Sequence, residues 1–297
     1  MTQPKAGEAV DLGQGIRRIL APNPSPMTYW GTNTYLVGDD EVIVIDPGPD
    51  DPAHYAAIMT ALGCSTLTHI CVTHSHLDHS PLARVLSEKT GAPVYAFGAS
   101  AAGRSPVMQH LAQSGLAGGG EGVDAAFRPD VTVADGDTIG PLRALHTPGH
   151  MGNHLAFALG DTVFTGDLVM GWASSLVSPP DGDLDDFLGS CARLRDMDAK
   201  RLLPGHGEFI DAPRERLNWL IDHRNARTAE ILETLKQGAM TAPQIAEIMY
   251  ADVSPSLLPA ATRNVVAHLV SLAQKGRVTA APTLSADAIF ARTDDRA

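Results

Sequence analysis

The chain has 297 residues, 44% of them hydrophobic, which suits one large globular domain or a main domain with an appendage. Its net charge of −12 disfavours non-specific binding to nucleic acid or anionic lipid, and no apolar run reads as a signal peptide or a membrane span. Three scattered cysteines, Cys64, Cys71 and Cys191, speak against a disulfide framework and for a reducing, cytoplasmic setting.

The first predicted strand is residues 16–20, followed by a turn-rich loop from Pro22 to Pro26. Residues 32–37 and 41–45 read as two strands around Gly38-Asp39-Asp40, the second ending at Asp46-Pro47-Gly48. A helix is predicted over 54–62 and a β-rich run over 68–72. Then comes His74-Ser75-His76-Leu77-Asp78-His79, followed by a helix over 82–89. Three imidazoles and a carboxylate therefore stand on a strand-to-helix turn, where side chains can converge outside a sheet. Such a donor set suits zinc, iron, manganese or nickel. Further donors recur where short apolar runs stop at Gly or Pro turns: His146-Thr147-Pro148-Gly149-His150, Thr165-Gly166-Asp167 and Pro204-Gly205-His206-Gly207. A paired metal site needs donors from several such places.

The order HxHxDH, TPGH, TGD, PGHG resembles the motif series of the metallo-β-lactamase superfamily. That resemblance implies an α/β fold, a four-layer αββα sandwich of two facing β-sheets with helices outside. It implies two divalent metal ions, zinc first with iron or manganese as alternatives: one held by His74, His76 and His150, the other by Asp78, His79 and His206, with Asp167 bridging. It implies a metal-bound hydroxide as nucleophile, with Asp78 helping to orient it, and an acidic residue, here Asp46, supporting a ligand histidine from behind. Ser80-Pro81 stands where many members carry a small pair such as Gly-Gly; this changes the helix entry and removes no donor. His154, four residues after His150, is a catalytic candidate. It could touch substrate, donate a proton, support a ligand or make a structural hydrogen bond. His146, His69 and His268 read as structural.

Residues 98–130 are rich in Gly, Ala and Ser and read as a long loop able to cover the site, with Arg104 and His110 as its notable side chains. Strands are predicted near 131–133, 142–145, 155–159 and 162–164, then a loop over 169–183, a helix over 184–197 and a strand over 201–203.

From residue 213 the pattern is helical, which sets the expected boundary between a metallo-β-lactamase domain (1–212) and a joining helix with a C-terminal module (213–297). Helices are predicted over 215–237, from Thr241-Ala242-Pro243 onward, and over 259–275, followed by a turn and short strand at Gly276-Arg277-Val278. The module is expected to be a small all-α winged helix. This layout, with His223-Arg224 on the joining helix and Gly31-Thr32-Asn33-Thr34-Tyr35 near the start, resembles the lactamase-beta-like 2 group. The resemblance implies endoribonuclease activity on single-stranded RNA, as in animal members. From Arg224 to Ala280 there are six basic and four acidic residues, too sparse a basic surface for sequence-specific DNA. Packing or a homodimer is the simpler use. The expected function is hydrolysis of a small molecule or single-stranded RNA at a phosphodiester, with an ester, thioester or lactone as the alternative and a DNA-binding regulator behind both.

Overall fold

The computed structural model describes residues 4–293. Strands β1 (Ala9–Gly13), β2 (Ile16–Leu20), β3 (Asn33–Val37), β4 (Glu41–Ile45), β5 (Thr66–Cys71), β6 (Val94–Ala96) and β7 (Val131–Thr132) form one seven-stranded sheet in that order. Strands β8 (Thr138–Ile139), β9 (Leu142–His146), β10 (Leu155–Leu159), β11 (Thr162–Gly166) and β12 (Arg201–Pro204) form a second, running β12-β11-β10-β9-β8.

Alternation within the strands explains why the sheets stack. Tyr35 and Val37 of β3, Ile43 and Ile45 of β4, Phe157 of β10 and Phe164 of β11 share one buried cluster between the sheets. Leu36, Val42 and Val44 point the other way, into a cluster with Ile58 and Leu62 of α1 (Pro52–Leu62) and Leu82 and Leu86 of α2 (Pro81–Thr90). On the far side of the second sheet, Val163 and Leu202 pack with Phe187, Cys191 and Leu194 of α4 (Leu184–Arg195) and Leu217 and Leu220 of α5 (Pro213–Thr234). Near-continuous apolar strands with period-two partition require burial on both faces, and the result is the αββα sandwich.

Residues 98–130 are not a plain loop. They carry α3 (Pro106–Gln113), which Ser105-Pro106 announces as an extended residue before a Pro start. Met108 and Leu111 of α3 enter the core of the C-terminal module beside Ile231, Val265 and Leu269. The segment then returns across the histidine cluster, where Leu77 N donates to Gly122 O at 3.0 Å and Asp124 N to Ser75 O at 2.8 Å. The composition hid α3 because glycines crowd both sides of it.

The C-terminal module holds α6 (Ala242–Met249) and α7 (Leu258–Gln274). Contrary to the all-α expectation, it also has a three-stranded sheet of β13 (Met240–Thr241), β14 (Val278–Ala281) and β15 (Ile289–Arg292), ordered β13-β15-β14. Only the strand at Val278 is legible in the sequence; the others are short and need pairing to exist. Helix α5 packs its first half on the metal domain and Ile231, near its end, on the C-terminal core. Among the described residues, no helix is long and apolar enough to cross a membrane.

Candidate metal centre

Every predicted donor sits at a strand end on the same rim of the sandwich. His74, His76 and His150 form one group; Asp78, His79, Asp167 and His206 form a second, with the donor atoms of each group lying within 4.8 Å of one another. Asp167 faces both: its Oδ2 lies 3.2 Å from His206 Nε2 and 3.8 Å from His150 Nε2, and its Oδ1 lies 3.4 Å from His79 Nε2. His76, Asp78, His150 and Asp167 keep 4–6% of their surface exposed, whereas His74 and His79 keep none, so the cluster opens on the former four.

Second partners settle which ring nitrogen faces inward. His150 Nδ1 donates to Leu176 O at 2.8 Å, His206 Nδ1 to Gly31 O at 3.1 Å and His79 Nδ1 to Asp46 Oδ2 at 2.9 Å. Thr73 Oγ1 donates to Asp46 Oδ2 at 2.7 Å, so it accepts the Nδ1–H of His74 at 2.9 Å. The Nε2 atoms of all four rings thus point into the cluster. Asp46 ends β4 with a left-handed φ of 49°, which Asp tolerates better than most residues, and its Oδ1 accepts Thr73 N at 2.7 Å.

These residues fit a pair of cations. His74 Nε2 and His150 Nε2, both fixed as acceptors, each stand 3.0 Å from His76 Nδ1. His79 Nε2, Asp78 Oδ1 and Asp167 Oδ1 are buried without a hydrogen-bond partner, an arrangement that costs free energy unless a cation answers it. Electrostatics agree. Burial, reinforced by neighbouring imidazoles, pushes His74 well below the usual histidine range and His76 down to about 3, keeping both neutral as ligands must be. In the second group burial would raise Asp78 and Asp167, but His79 and His206 outweigh it and hold both carboxyls well below the usual carboxylate range. The same pairs, against burial, raise His79 well above its usual value and push His206 up to about 10. The second group is built around positive charge.

Glycine is required at Gly205, where a Cβ would stand 2.3 Å from Asp167 Oδ1 and 2.7 Å from His79 Cε1. The turn can pass beneath the donors only without a side chain.

His154 is placed differently from a substrate-touching residue. It is fully buried, its Nδ1 lies 2.9 Å from Thr147 Oγ1, and its ring centre lies 5.3 Å from that of His74. It packs behind His74, away from the opening. His146 stacks on Phe97 with centroids 3.8 Å apart, and His268 bonds Thr228 at 2.8 Å, both as structural residues. Arg104 pairs with Asp181 while His110 is exposed on α3. Thr73, Thr147, Gly31 and Leu176 were missed as supporting residues. Thr73 and Thr147 each adjoin a motif histidine, a signal that was available; the two backbone carbonyls leave none.

The C-terminal module reaches this site. Arg224, 2% exposed, donates to Ser175 O and to Asn264 Oδ1, and Asn264 Oδ1 also accepts Val177 N at 3.1 Å. Residues 175–177 carry the Leu176 carbonyl that orients His150. Arg224 is therefore a tie between domains and is unavailable to a phosphate.

The family signature described as Metallo-beta-lactamase superfamily matches residues 27–206. The chain belongs to that superfamily. A second signature, Beta-lactamase associated winged helix domain, matches residues 241–284. The chain is 31% identical to the Beta-lactamase-like protein 2 homolog of Drosophila melanogaster, over 90% of both chains. It is 28% identical to an Atrochrysone carboxyl ACP thioesterase of Aspergillus fumigatus, over 78% of this chain and 69% of that one. A crystal structure of a metallo-beta-lactamase family protein from Thermus thermophilus superposes with a TM-score of 0.77 at 26% identity, covering 95% of this chain and all of the other. The chain is thus a superfamily hydrolase with His and Asp clusters able to bind two metal ions.

Proposed function

We propose that this chain hydrolyses a carbonyl ester, a thioester first, at a dinuclear metal centre. This order places the ester ahead of the phosphodiester favoured by the sequence. One observation carries it. A cavity of about 250 Å³ is bounded by Met27, Met170, Trp172, Val253, Leu257 and Leu176, whose carbonyl holds His150, and its cationic neighbours are occupied. Arg224 is tied as above, and burial together with Arg224 lowers the pKa of His223, which lines the same wall and is neutral at pH 7. An apolar acyl group gains roughly 25 cal/mol per Å² buried on such a wall, whereas RNA would bring repeated phosphates to a chain of net charge −12. The similarity to a fungal ACP thioesterase supports the same reading.

In this reading His74, His76 and His150 would hold one ion and Asp78, His79 and His206 the other, with Asp167 facing both groups. Divalent ions there supply Lewis acidity to a substrate oxygen and acidify water, as zinc, iron or manganese would. Asp46 fixes two of the ligand imidazoles, one per group. Asp78, held ionised, would use its unpartnered Oδ1 to orient the attacking water. His154 supports His74 from behind.

A second reading, cleavage of single-stranded RNA or a small phosphodiester, draws on the adjacency of the two donor groups, which could neutralise attacking and leaving oxygens together. The deciding assay presents a thioester, a lactone, an aryl phosphodiester and single-stranded RNA to the same metal-loaded protein. Chelator-sensitive thioester or lactone turnover supports the first reading; RNA or phosphodiester cleavage without either supports the second.

A further inference from the structure

We propose that a cavity beside the metal centre is a binding site for a planar, uncharged aromatic group. The sequence has only three tryptophans, Trp30, Trp172 and Trp219. They come from the loop before β3, the loop after β11 and helix α5, and all three line one cavity of about 810 Å³, together with Tyr29 and Phe209. That volume is within the range of small-molecule sites, roughly 300–1,000 Å³. Three of these rings stay open to it: Trp172 is 36%, Tyr29 41% and Trp219 47% exposed. Rings gathered only to pack the loops together would be covered.

The rings are held in place without a ligand. Tyr29 stacks on Trp172 with centroids 4.8 Å apart and planes 14° apart, and on Trp30 at 4.6 Å and 27°. The Arg216 guanidinium donates to Met170 O at 2.7 Å and Ala173 O at 2.6 Å while lying 4.4 Å from the Trp219 ring centre. One side chain thus ties the loop carrying Trp172 to the helix carrying Trp219. Preorganised rings lose little freedom on binding, and ring–ring contacts add to area burial.

Charge selects the ligand. Glu208 and Asp211 also line the cavity but are paired with Arg18 and Arg201, and Arg216 is engaged by two carbonyls, so Glu215 supplies the charge left on the wall. An anionic ring is therefore disfavoured. Trp172, on the cavity wall, packs against Gly207, the residue after His206, where a Cβ would stand 2.7 Å from Trp172 Cδ1. Trp172 lines both this cavity and the smaller one described above, so a substrate ring among the tryptophans and an acyl chain along the smaller cavity would share one approach. Only this last step rests on the ester reading above; the ring site itself does not.

The test uses full-length, metal-loaded protein and 4-nitroanisole, a neutral planar quencher of indole emission with no acyl bond. Saturable quenching is expected, weakened about tenfold by Trp172→Leu or Trp219→Leu, largely kept in Trp219→Phe, and not displaced by cyclohexyl methyl ether. Unsaturable quenching, equal displacement by the cyclohexyl ether, or unchanged affinity in both Leu variants with normal metal content overturns the site. Turnover is then compared for S-ethyl 3-phenylpropanethioate and its 3-cyclohexyl analogue, which differ only in the ring. A higher kcat/KM for the phenyl compound, lost in Trp172→Leu, supports placement of the substrate ring there, and equal values overturn that placement. Saturable ring binding with neither thioester hydrolysed supports the site and sinks the ester reading.

Discussion

The Asp46 carboxylate takes the Nδ1–H of His79 directly at 2.9 Å and reaches His74 through the Thr73 hydroxyl, which donates to the same oxygen at 2.7 Å. One strand-end residue therefore orients an imidazole in each donor group. Asp46→Ala should weaken metal binding at both, by about 10- to 100-fold, measured by competition with a chromogenic chelator. Thr73→Val should affect the three-histidine group alone. Unchanged affinity in Asp46→Ala would leave that residue a turn-former.

Asp167 approaches His206 at 3.2 Å and His150 at 3.8 Å, one from each group. Asp167→Ala should lower metal content toward one ion or fewer per chain by elemental analysis of chelator-free preparations. Full occupancy of both positions would remove it from the spanning role.

Full burial of His154 separates support from substrate contact. Replacing it by Ala should cost stability of about 1–3 kcal/mol, because the Thr147 hydroxyl loses its bond with His154 Nδ1 and a void opens behind His74. Urea unfolding checks this, and KM should stay near its original value; a large rise in KM with unchanged stability would return His154 to the substrate.

Asn264 links α7 to the backbone that orients His150. Asn264→Ala should release Val177 N and loosen Arg224, lowering the affinity of the three-histidine group while the second group is spared. Titration with a spectroscopically visible divalent ion, such as cobalt, distinguishes the two. Equal loss at both would mean general unfolding. Truncation before Ala239 should go further, since it uncovers Ile231, Leu235, Met108 and Leu111.

Asp186, half-buried in the first turn of α4, has its carboxyl pushed up to about 6 by burial and by Asp183 and Asp185. An unfolded chain titrates near about 3.9, so the folded state holds this proton more tightly. The stabilisation is complete below about pH 4 and lost as pH rises through about 6. Asp186→Asn should therefore raise Tm at pH 7–8, with the advantage fading toward pH 4. A constant offset across that range would assign the effect to something other than ionisation.

That these seven side chains gather was legible because chemistry and local geometry coincide in them. His74, His76, Asp78, His79, His150, Asp167 and His206 each follow a short apolar run and stand at a turn, and strand ends on one rim converge whatever the details between them. The two facing sheets were legible only through family resemblance, although residues 42–45 show the physical cause by dividing alternately between two cores. The short strands β1, β8, β13 and β15 were not legible, since two to five residues form a strand only when a partner supplies the hydrogen bonds.

Tertiary structure alone decided how the site is supported and what flanks it. No local pattern reveals that Leu176 O and Gly31 O fix histidine tautomers, because a carbonyl belongs to every residue. Nor does spacing show that Arg224 is spent on Ser175 O and Asn264, or that Trp30, Trp172 and Trp219 share a cavity. Sequence determines which atoms can bind a metal and roughly where the chain turns to present them. Which buried donor meets which acceptor, and which side chains wall the approach, depends on contacts between segments far apart in the chain, and those exist only once the two sheets and the C-terminal helices have packed.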